Sequence, residues 1–259
     1  MELSLVSHFY NEELLIGDWI DYHKKFFDYA VLIDHHSTDA SPEIAQSKLP
    51  DGWRIVTSRL SEFDAELTDR EVMEYEKTLP GWKMALCTTE YLFYPDIRIK
   101  LKILEQKYPR ALAFGSRAIY LVDKIPGLPL ETPIWKNRNW GFLFAREIKS
   151  PIVIHFWRYI HKAEHGHYMP GRHLTCLPHQ AIPDFFHLRL HFSPWPQAER
   201  RKLQIQYKIP DKDKLLWYGS QHIVTQAALE ERYLEYSKFS SDLFAIPEYV
   251  SYYRELLKR

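Results

Sequence analysis

The chain has 259 residues with 34 basic and 34 acidic side chains, 15% aromatic and 26% charged residues, an even balance that argues against a duplex nucleic-acid binder. Its two cysteines, Cys87 and Cys176, are too few for a secreted disulfide scaffold and form no Cys-x-x-Cys pair, so a reducing, cytoplasmic setting is expected. No apolar run approaches the roughly 18 residues of a membrane span, and Met1-Glu2-Leu3 enters a strand pattern without a basic leader, so neither an export signal nor a helical anchor is expected.

Leu3 to Ser7 reads as a first strand, its apolar run ending after Phe9 at Tyr10-Asn11-Glu12-Glu13. Glu12 to Phe26 then reads as a helix, with Leu15, Trp19, Ile20, His23 and Phe27 recurring at helical spacing. Tyr29 to Ile33 is a second strand that breaks at Asp34-His35-His36-Ser37-Thr38-Asp39. Ser41-Pro42-Glu43 supplies an N-cap and a first-turn proline, predicting a short helix to about Ser47 before the turn Leu49-Pro50-Asp51-Gly52. Trp53 to Thr57 reads as a third strand, Thr68 to Lys77 as an acid-rich helix, and Trp82 to Leu86 as a fourth strand. From Lys124 to Trp140 the chain is proline-rich and aromatic, His155 to Trp195 holds eight of the 13 histidines, and the stretch after Pro210-Asp211-Lys212-Asp213 reads as helical.

Strands that are apolar throughout and alternate with helices predict an α/β fold with a mostly parallel, doubly wound sheet covered on both faces. In such sheets ligands sit beyond the carboxyl ends of the strands, where backbone N–H groups and helix N-termini meet phosphate or ribose. The first two polar turns are therefore read as a nucleotide pocket. Asp34, directly after a buried strand, is placed to accept from a ribose hydroxyl or a base N–H. Glu62 and Asp64 follow the third strand at the same edge, although Asp64 fits equally as the N-cap of the next helix, as Glu12 and Glu13 fit a helix start.

Carboxylates able to take a proton from an acceptor lie in Ser61 to Asp64, at Asp69 and Glu71, and at Asp184, the last also fitting a turn after Pro183. His161, His165, His167, His173, His187 and His191 are potential ligands, but no zinc-type spacing links them. His173 stands out because Gly171-Arg172 precedes it, a turn that lets backbone approach a phosphate with an arginine alongside. Arg158 suits a forked contact with a diphosphate; Arg200, Arg201 and Lys202 read as a solvated helix face or an acceptor-side patch. Trp140, Trp157 and Trp195 fit either sugar stacking or core packing.

Four segments in order, Ser7 to Glu13, Trp19 to His23, Ile33 to Ser41, and Gly81-Trp82-Lys83-Met84-Ala85-Leu86-Cys87-Thr88-Thr89-Glu90-Tyr91-Leu92, resemble the GT-A fold glycosyltransferases, in particular the family 2-like bacterial enzymes. The resemblance covers residues 1 to about 95; Arg158 to His161, Pro170 to His173 and Arg201 to Ile205 resemble the acceptor-side half of the same group. It implies a GT-A-like catalytic domain over residues 1–200, with a nucleotide-binding half (1–95) and an acceptor-side half (96–200), followed by a helical extension (201–259). The implied activity is transfer of a sugar, with inversion, from a nucleoside diphosphate donor to the hydroxyl of a glycan or lipid-linked acceptor. Cell-surface polysaccharide assembly, without nucleic acid and with peripheral contact at the inner membrane face, is the implied setting.

The donor-binding set expected on this basis is Tyr10, Asn11, Glu12, Asp34, Asp64, Thr89 and Arg172. His35 and His36 stand where the group carries acidic or glycine residues. The group's Asp-x-Asp, which binds a divalent cation on the diphosphate, is replaced by Cys87-Thr88-Thr89 before Glu90. Two solutions are open: a Mn²⁺ or Mg²⁺ site rebuilt from Glu90, His173 and the diphosphate itself, or a diphosphate neutralised by side chains such as Arg172 and Lys83. Asp184 and Glu90 are the expected catalytic carboxylates. The lost motif also admits a non-catalytic nucleotide or sugar binder on the same fold, and the histidines admit a metal-dependent hydrolase.

Overall fold

The computed structural model describes residues 1–143, 157–206, 208–215 and 225–259; His155 lies outside them. The first half alternates strands and helices: β1 (Leu3–Phe9), α1 (Ile16–His23), β2 (Tyr29–Asp34), α2 (Ser41–Lys48), β3 (Trp53–Thr57), α3 (Ala65–Glu76) and β4 (Trp82–Ala85). Then follow β5 (Glu90–Phe93), α4 (Ile97–Lys107), β6 (Ala113–Val122), β7 (Trp140–Leu143), β8 (Trp157–His161) and β9 (His179–Phe192). The chain ends in α5 (Gln197–Gln206), α6 (Asp211–Leu215), α7 (Gln226–Phe239), β10 (Ser241–Asp242) and α8 (Pro247–Leu256).

The sheet runs β3-β2-β1-β4-β8-β6-β7-β10, with β9 paired to β5 and β6. Strands β3, β2, β1 and β4 are parallel, in the order expected of a doubly wound unit. Alternate residues explain why these strands are apolar on both sides. Leu3 and Leu5, Ala30 and Leu32, and Trp82 and Met84 pack with Trp19 and Ile20 of α1 and Leu101 of α4. Val6, Val31, Ile33 and Ala85 point to the opposite face and pack with Val72 of α3. Both faces are thus covered, the condition that makes a parallel sheet stable.

Antiparallel strands extend this block: β8 bridges β4 and β6, and β6 also holds β7. The C-terminal helices close over that half, with Trp195, Ala198, Leu229 and Tyr233 packing on Tyr120, Phe142 and Phe192. Trp195 stacks on Tyr233 at 4.2 Å between ring centroids, so it belongs to the core.

Two helix boundaries differ from the sequence expectation for local reasons. The first helix shortens at both ends into turns, the Leu15 and Ile16 N–H groups both donating to the Glu12 carbonyl. The third lengthens to Ala65 because Asp64 caps it, its carboxylate accepting the Leu67 N–H at 2.8 Å. Among the described residues no helix is long and apolar enough to cross a membrane.

Candidate functional site

A cavity of about 560 Å³ opens beyond the carboxyl ends of β1, β2 and β4, lined by His8, Tyr10, Glu12, His35 and Cys87 to Thr89 from that side. Strand order reverses between β2, β1 and β4, so the cavity sits at the switch point where open α/β sheets bind ligands. Its far wall comes from α3, the 170–173 loop, β9 and α5.

The floor is the turn Cys87-Thr88-Thr89-Glu90. The Glu90 N–H donates to the Cys87 carbonyl at 2.8 Å, and the Glu90 carboxylate accepts the Cys87 N–H at 2.9 Å. The Trp19 indole N–H reaches both the Cys87 and Glu90 carbonyls, at 3.1 and 2.8 Å, which locks the turn to α1. Thr88 and Thr89 are thereby presented to the cavity.

Glu90 is fully buried and forked by Arg158, Nε to Oε2 at 2.7 Å and Nη2 to Oε1 at 2.9 Å. Burial alone would raise this carboxyl, but the Arg158 and Arg189 guanidiniums override it and hold it well below the usual range. Arg158 also donates to the Gly171 carbonyl at 2.7 Å, and Asp69 accepts the Gly171 N–H at 2.6 Å while pairing with Arg172. Positive φ at Gly171 (86°) and Arg172 (59°) turns the loop so that both contacts close. His173 sits beside these groups, and burial, with Arg158 and Arg189 adjacent, pushes its imidazole well below the ordinary histidine range.

Three of the carboxylates at the site are therefore each matched to one arginine: Glu90 to Arg158, Asp69 to Arg172, and Glu12 to Arg201 at 2.6 Å. Three further cations line the cavity over aromatic faces instead. Arg189 lies 5.4 Å from the Tyr120 ring centroid, Lys202 5.0 Å from Phe192, and Lys208 4.8 Å from Tyr10. Arg189 shares Glu90 with Arg158, at 3.7 Å. Burial and the neighbouring Arg201, Arg189 and Arg232 push Lys202 down to about 7. Glu12 is the one lining carboxylate with a buried oxygen, Oε2, lacking a hydrogen-bond partner among the described residues; burial raises it, against the pull of Arg201.

Of the expected donor residues, Tyr10, Glu12, Thr89 and Arg172 line this cavity, as do Arg158 and His173. Asn11, Asp34 and Asp64 do not. Asn11 joins the two opening turns, its Oδ1 accepting the Thr38 N–H at 2.8 Å and its own N–H donating to Ser37 Oγ at 3.0 Å. Asp34 closes its own turn by accepting the Ser37 N–H at 3.0 Å, and Asp64 is the cap of α3, ion-paired with Lys212. Asp34, expected to contact the nucleotide, is placed outside the cavity lining, at the start of the turn that carries His35 into it.

Neither expected catalytic carboxylate is in the cavity lining. Asp184 is half exposed, outside the cavity lining, and paired with Lys100 at 2.7 Å. Glu90 has both oxygens hydrogen-bonded to Arg158. Glu90 and His173, the expected metal pair, are both set among guanidiniums, and the protein brings no further carboxylate to them among the described residues. Among the described residues no group of three or more His, Cys, Asp or Glu side chains could hold a metal ion. A divalent cation does not fit this residue set. The described histidines are dispersed, His187 buried against Ser116 Oγ at 2.9 Å and His161 beside Glu76 at 3.2 Å, and among the described residues nothing supports the hydrolase alternative. Lys83 donates to the Ala163 carbonyl at 2.9 Å and does not line the cavity.

Sequence reasoning missed Arg189 and left Lys202 between a solvated helix face and an acceptor-side patch. The signal for Arg189 was the alternation His187-Leu188-Arg189-Leu190-His191, in which the leucines join the core and the polar residues must share the other face.

No protein-family model and no curated protein matches the chain. Among solved structures, glucosyl-3-phosphoglycerate synthase from Mycobacterium tuberculosis with Mn²⁺, uridine diphosphate and phosphoglyceric acid is 16% identical, with 62% of this chain and 55% of that one covered and a TM-score of 0.38. CMP:2-keto-3-deoxy-manno-octonic acid synthetase complexed with CTP is 8% identical, covering 62% and 74%, with a TM-score of 0.35. The 4-diphosphocytidyl-2C-methyl-D-erythritol synthase of Anaerococcus prevotii is 9% identical, covering 62% and 70%, with a TM-score of 0.33. The chain spans about half the length of the mycobacterial synthase. Scores this low assign neither activity nor substrate to this chain.

Proposed function

We propose that the chain is a GT-A-type glycosyltransferase that binds a nucleoside diphosphate-sugar in this cavity and passes the sugar to an acceptor hydroxyl. The observation that carries the reading is a switch-point cavity in which cations outnumber carboxylates. A diphosphate needs such a surplus, and charge develops on it as the glycosidic bond breaks. Tyr10 and the uncommitted Glu12 Oε2 are the groups offered to the base and ribose, in line with the sequence resemblance. The neutral imidazoles of His8 and His173, held uncharged first by burial, supply hydrogen bonds without competing for the phosphates. Glycan assembly and inversion at the anomeric carbon are part of the proposal through that resemblance.

A second reading, a non-catalytic nucleotide or sugar binder, is favoured by one specific feature. Glu90, Asp69 and Glu12 each already hold an arginine, so among the described residues no carboxylate at the cavity is left unpaired to serve as a proton acceptor. One experiment tests both. Thermal shift with UDP, GDP, dTDP and CDP, followed by assay of nucleoside diphosphate release from the matching sugar donors, should show stabilisation and turnover. Stabilisation without turnover on any acceptor class leaves the binder; no shift with any nucleoside diphosphate, with or without Mn²⁺, refutes both.

A further inference from the structure

The turn that carries Asp-x-Asp in the resembled enzymes is uncharged here and ringed by guanidiniums. The Cys87 sulfur lies 3.5 Å from Arg158 Nη2 and 3.6 Å from Arg172 Nη2. These two arginines are each balanced by a carboxylate, so they fill the space in front of the turn without leaving a net charge there. A metal ion at that place would meet two cations and a thiol, with threonine hydroxyls as the only side-chain oxygen donors of the Cys87 to Thr89 segment.

The uncompensated positive charge lies elsewhere on the same wall. Arg189 on β9, Lys202 on α5 and Lys208 just beyond α5 all face the cavity, and none has a carboxylate to itself among the described residues. Each is held by the face of an aromatic ring, which tolerates a cation without cancelling it. That is the arrangement expected where the missing counter-charge belongs to a ligand. Building on the nucleotide-sugar reading, we infer that Arg189, Lys202 and Lys208 neutralise the donor diphosphate in place of a divalent cation, making this a metal-independent donor site. Arginine suits the task because its fork can bind two phosphate oxygens at once, and a fixed guanidinium stabilises the leaving diphosphate without being recruited from solution.

The test is isothermal titration of the intact protein with UDP, GDP, dTDP and CDP, in EDTA and again in Mn²⁺. At least one should bind with a Kd that differs by less than about twofold between the two conditions. Arg189→Met and Lys208→Met should each weaken that nucleotide by about tenfold or more, while the parent nucleoside, lacking phosphates, should lose less than about twofold. Lys208 is exposed, so its variant keeps the test open if Arg189→Met fails to fold. Binding that appears only with Mn²⁺ overturns this inference and leaves the donor reading standing. No binding in either condition removes both. Diphosphate affinity unchanged in both variants also overturns it.

Discussion

Lys202 gives the most direct physical handle on the cavity. Its ammonium rests over the Phe192 ring, and the charged groups facing it are cations: Arg201 on its own helix, Arg189 on β9 and Arg232 on α7. Burial and these neighbours bring it down to about 7, so about half the free molecules carry the charge at neutral pH. A diphosphate beside it supplies the missing anion and should restore a value near the ordinary ~10.4. The complex then holds more protons than the free protein above pH 7, so affinity must fall as pH rises. Near pH 9 only about one free molecule in a hundred is protonated, which corresponds to about 100-fold weaker binding, or about 2.7 kcal/mol, relative to pH 6. Phosphate ionisation near pH 6 is complete over most of that range and contributes little above pH 7. Titration calorimetry from pH 7 to 9 in two buffers of different ionisation enthalpy reads both the affinity and the proton uptake. A flat wild-type profile, or a Lys202→Met variant that keeps the same slope, would refute the reasoning. Stability moves oppositely: because the folded value lies below the unfolded one, the cost of the buried charge is present below pH 7 and relieved as pH rises toward ~10.4, about 5 kcal/mol at most. Lys202→Met should therefore raise Tm at neutral pH while weakening the nucleotide.

Arg158→Met strands the fully buried Glu90 carboxylate and should cost about 3–5 kcal/mol in urea unfolding, with Glu90→Gln in the same chain recovering part of the loss. His23 and His187 are buried and pushed down to about 3, each chiefly by desolvation, so their unfolded forms take up protons that the folded forms do not. Their contribution is intact above pH 6.5 and is lost as pH falls toward 3, about 2 kcal/mol each at pH 5, read as proton uptake on unfolding. Asp184→Asn breaks only a half-exposed pair with Lys100 and should change stability by less than about 1 kcal/mol, with nucleotide affinity unchanged.

The parallel block was readable because its physics is local. Strands buried on both faces have to be apolar at every position, as Leu3 to Val6 and Ala30 to Ile33 are. The cavity's place followed from the same pattern. Its residues were harder to read because a side chain's role depends on partners far along the chain. Asp34 looks like a ligand contact from its position after β2, but in the structure its Oδ1 accepts the N–H of Ser37 three residues on, and it lies outside the cavity lining. Glu90 looks like the surviving metal carboxylate until Arg158, 68 residues away, takes both oxygens. Lys202 belongs to a basic run typical of a solvated helix face, and only the packing of α5 on β9 turns it inward.

On the proposed reading the cavity cations and the uncharged Cys87 to Thr89 turn form one arrangement, and placing acids in that turn separates it from a metal site lacking only its carboxylates. In a Cys87→Asp, Thr89→Asp variant the new carboxylate at 87 stands where the sulfur now meets Arg158 and Arg172. A guanidinium already in place holds a carboxylate more readily than a hydrated dication that must shed water and approach two positive charges. The added negative charge should therefore reduce the surplus that attracts the diphosphate, weakening it by about tenfold or more, and Mn²⁺ should not restore it. If the double variant instead binds tightly and only with Mn²⁺, the cavity still carries a cation site that needed nothing but its two acids. The surplus on Arg189, Lys202 and Lys208 would then be incidental to the diphosphate.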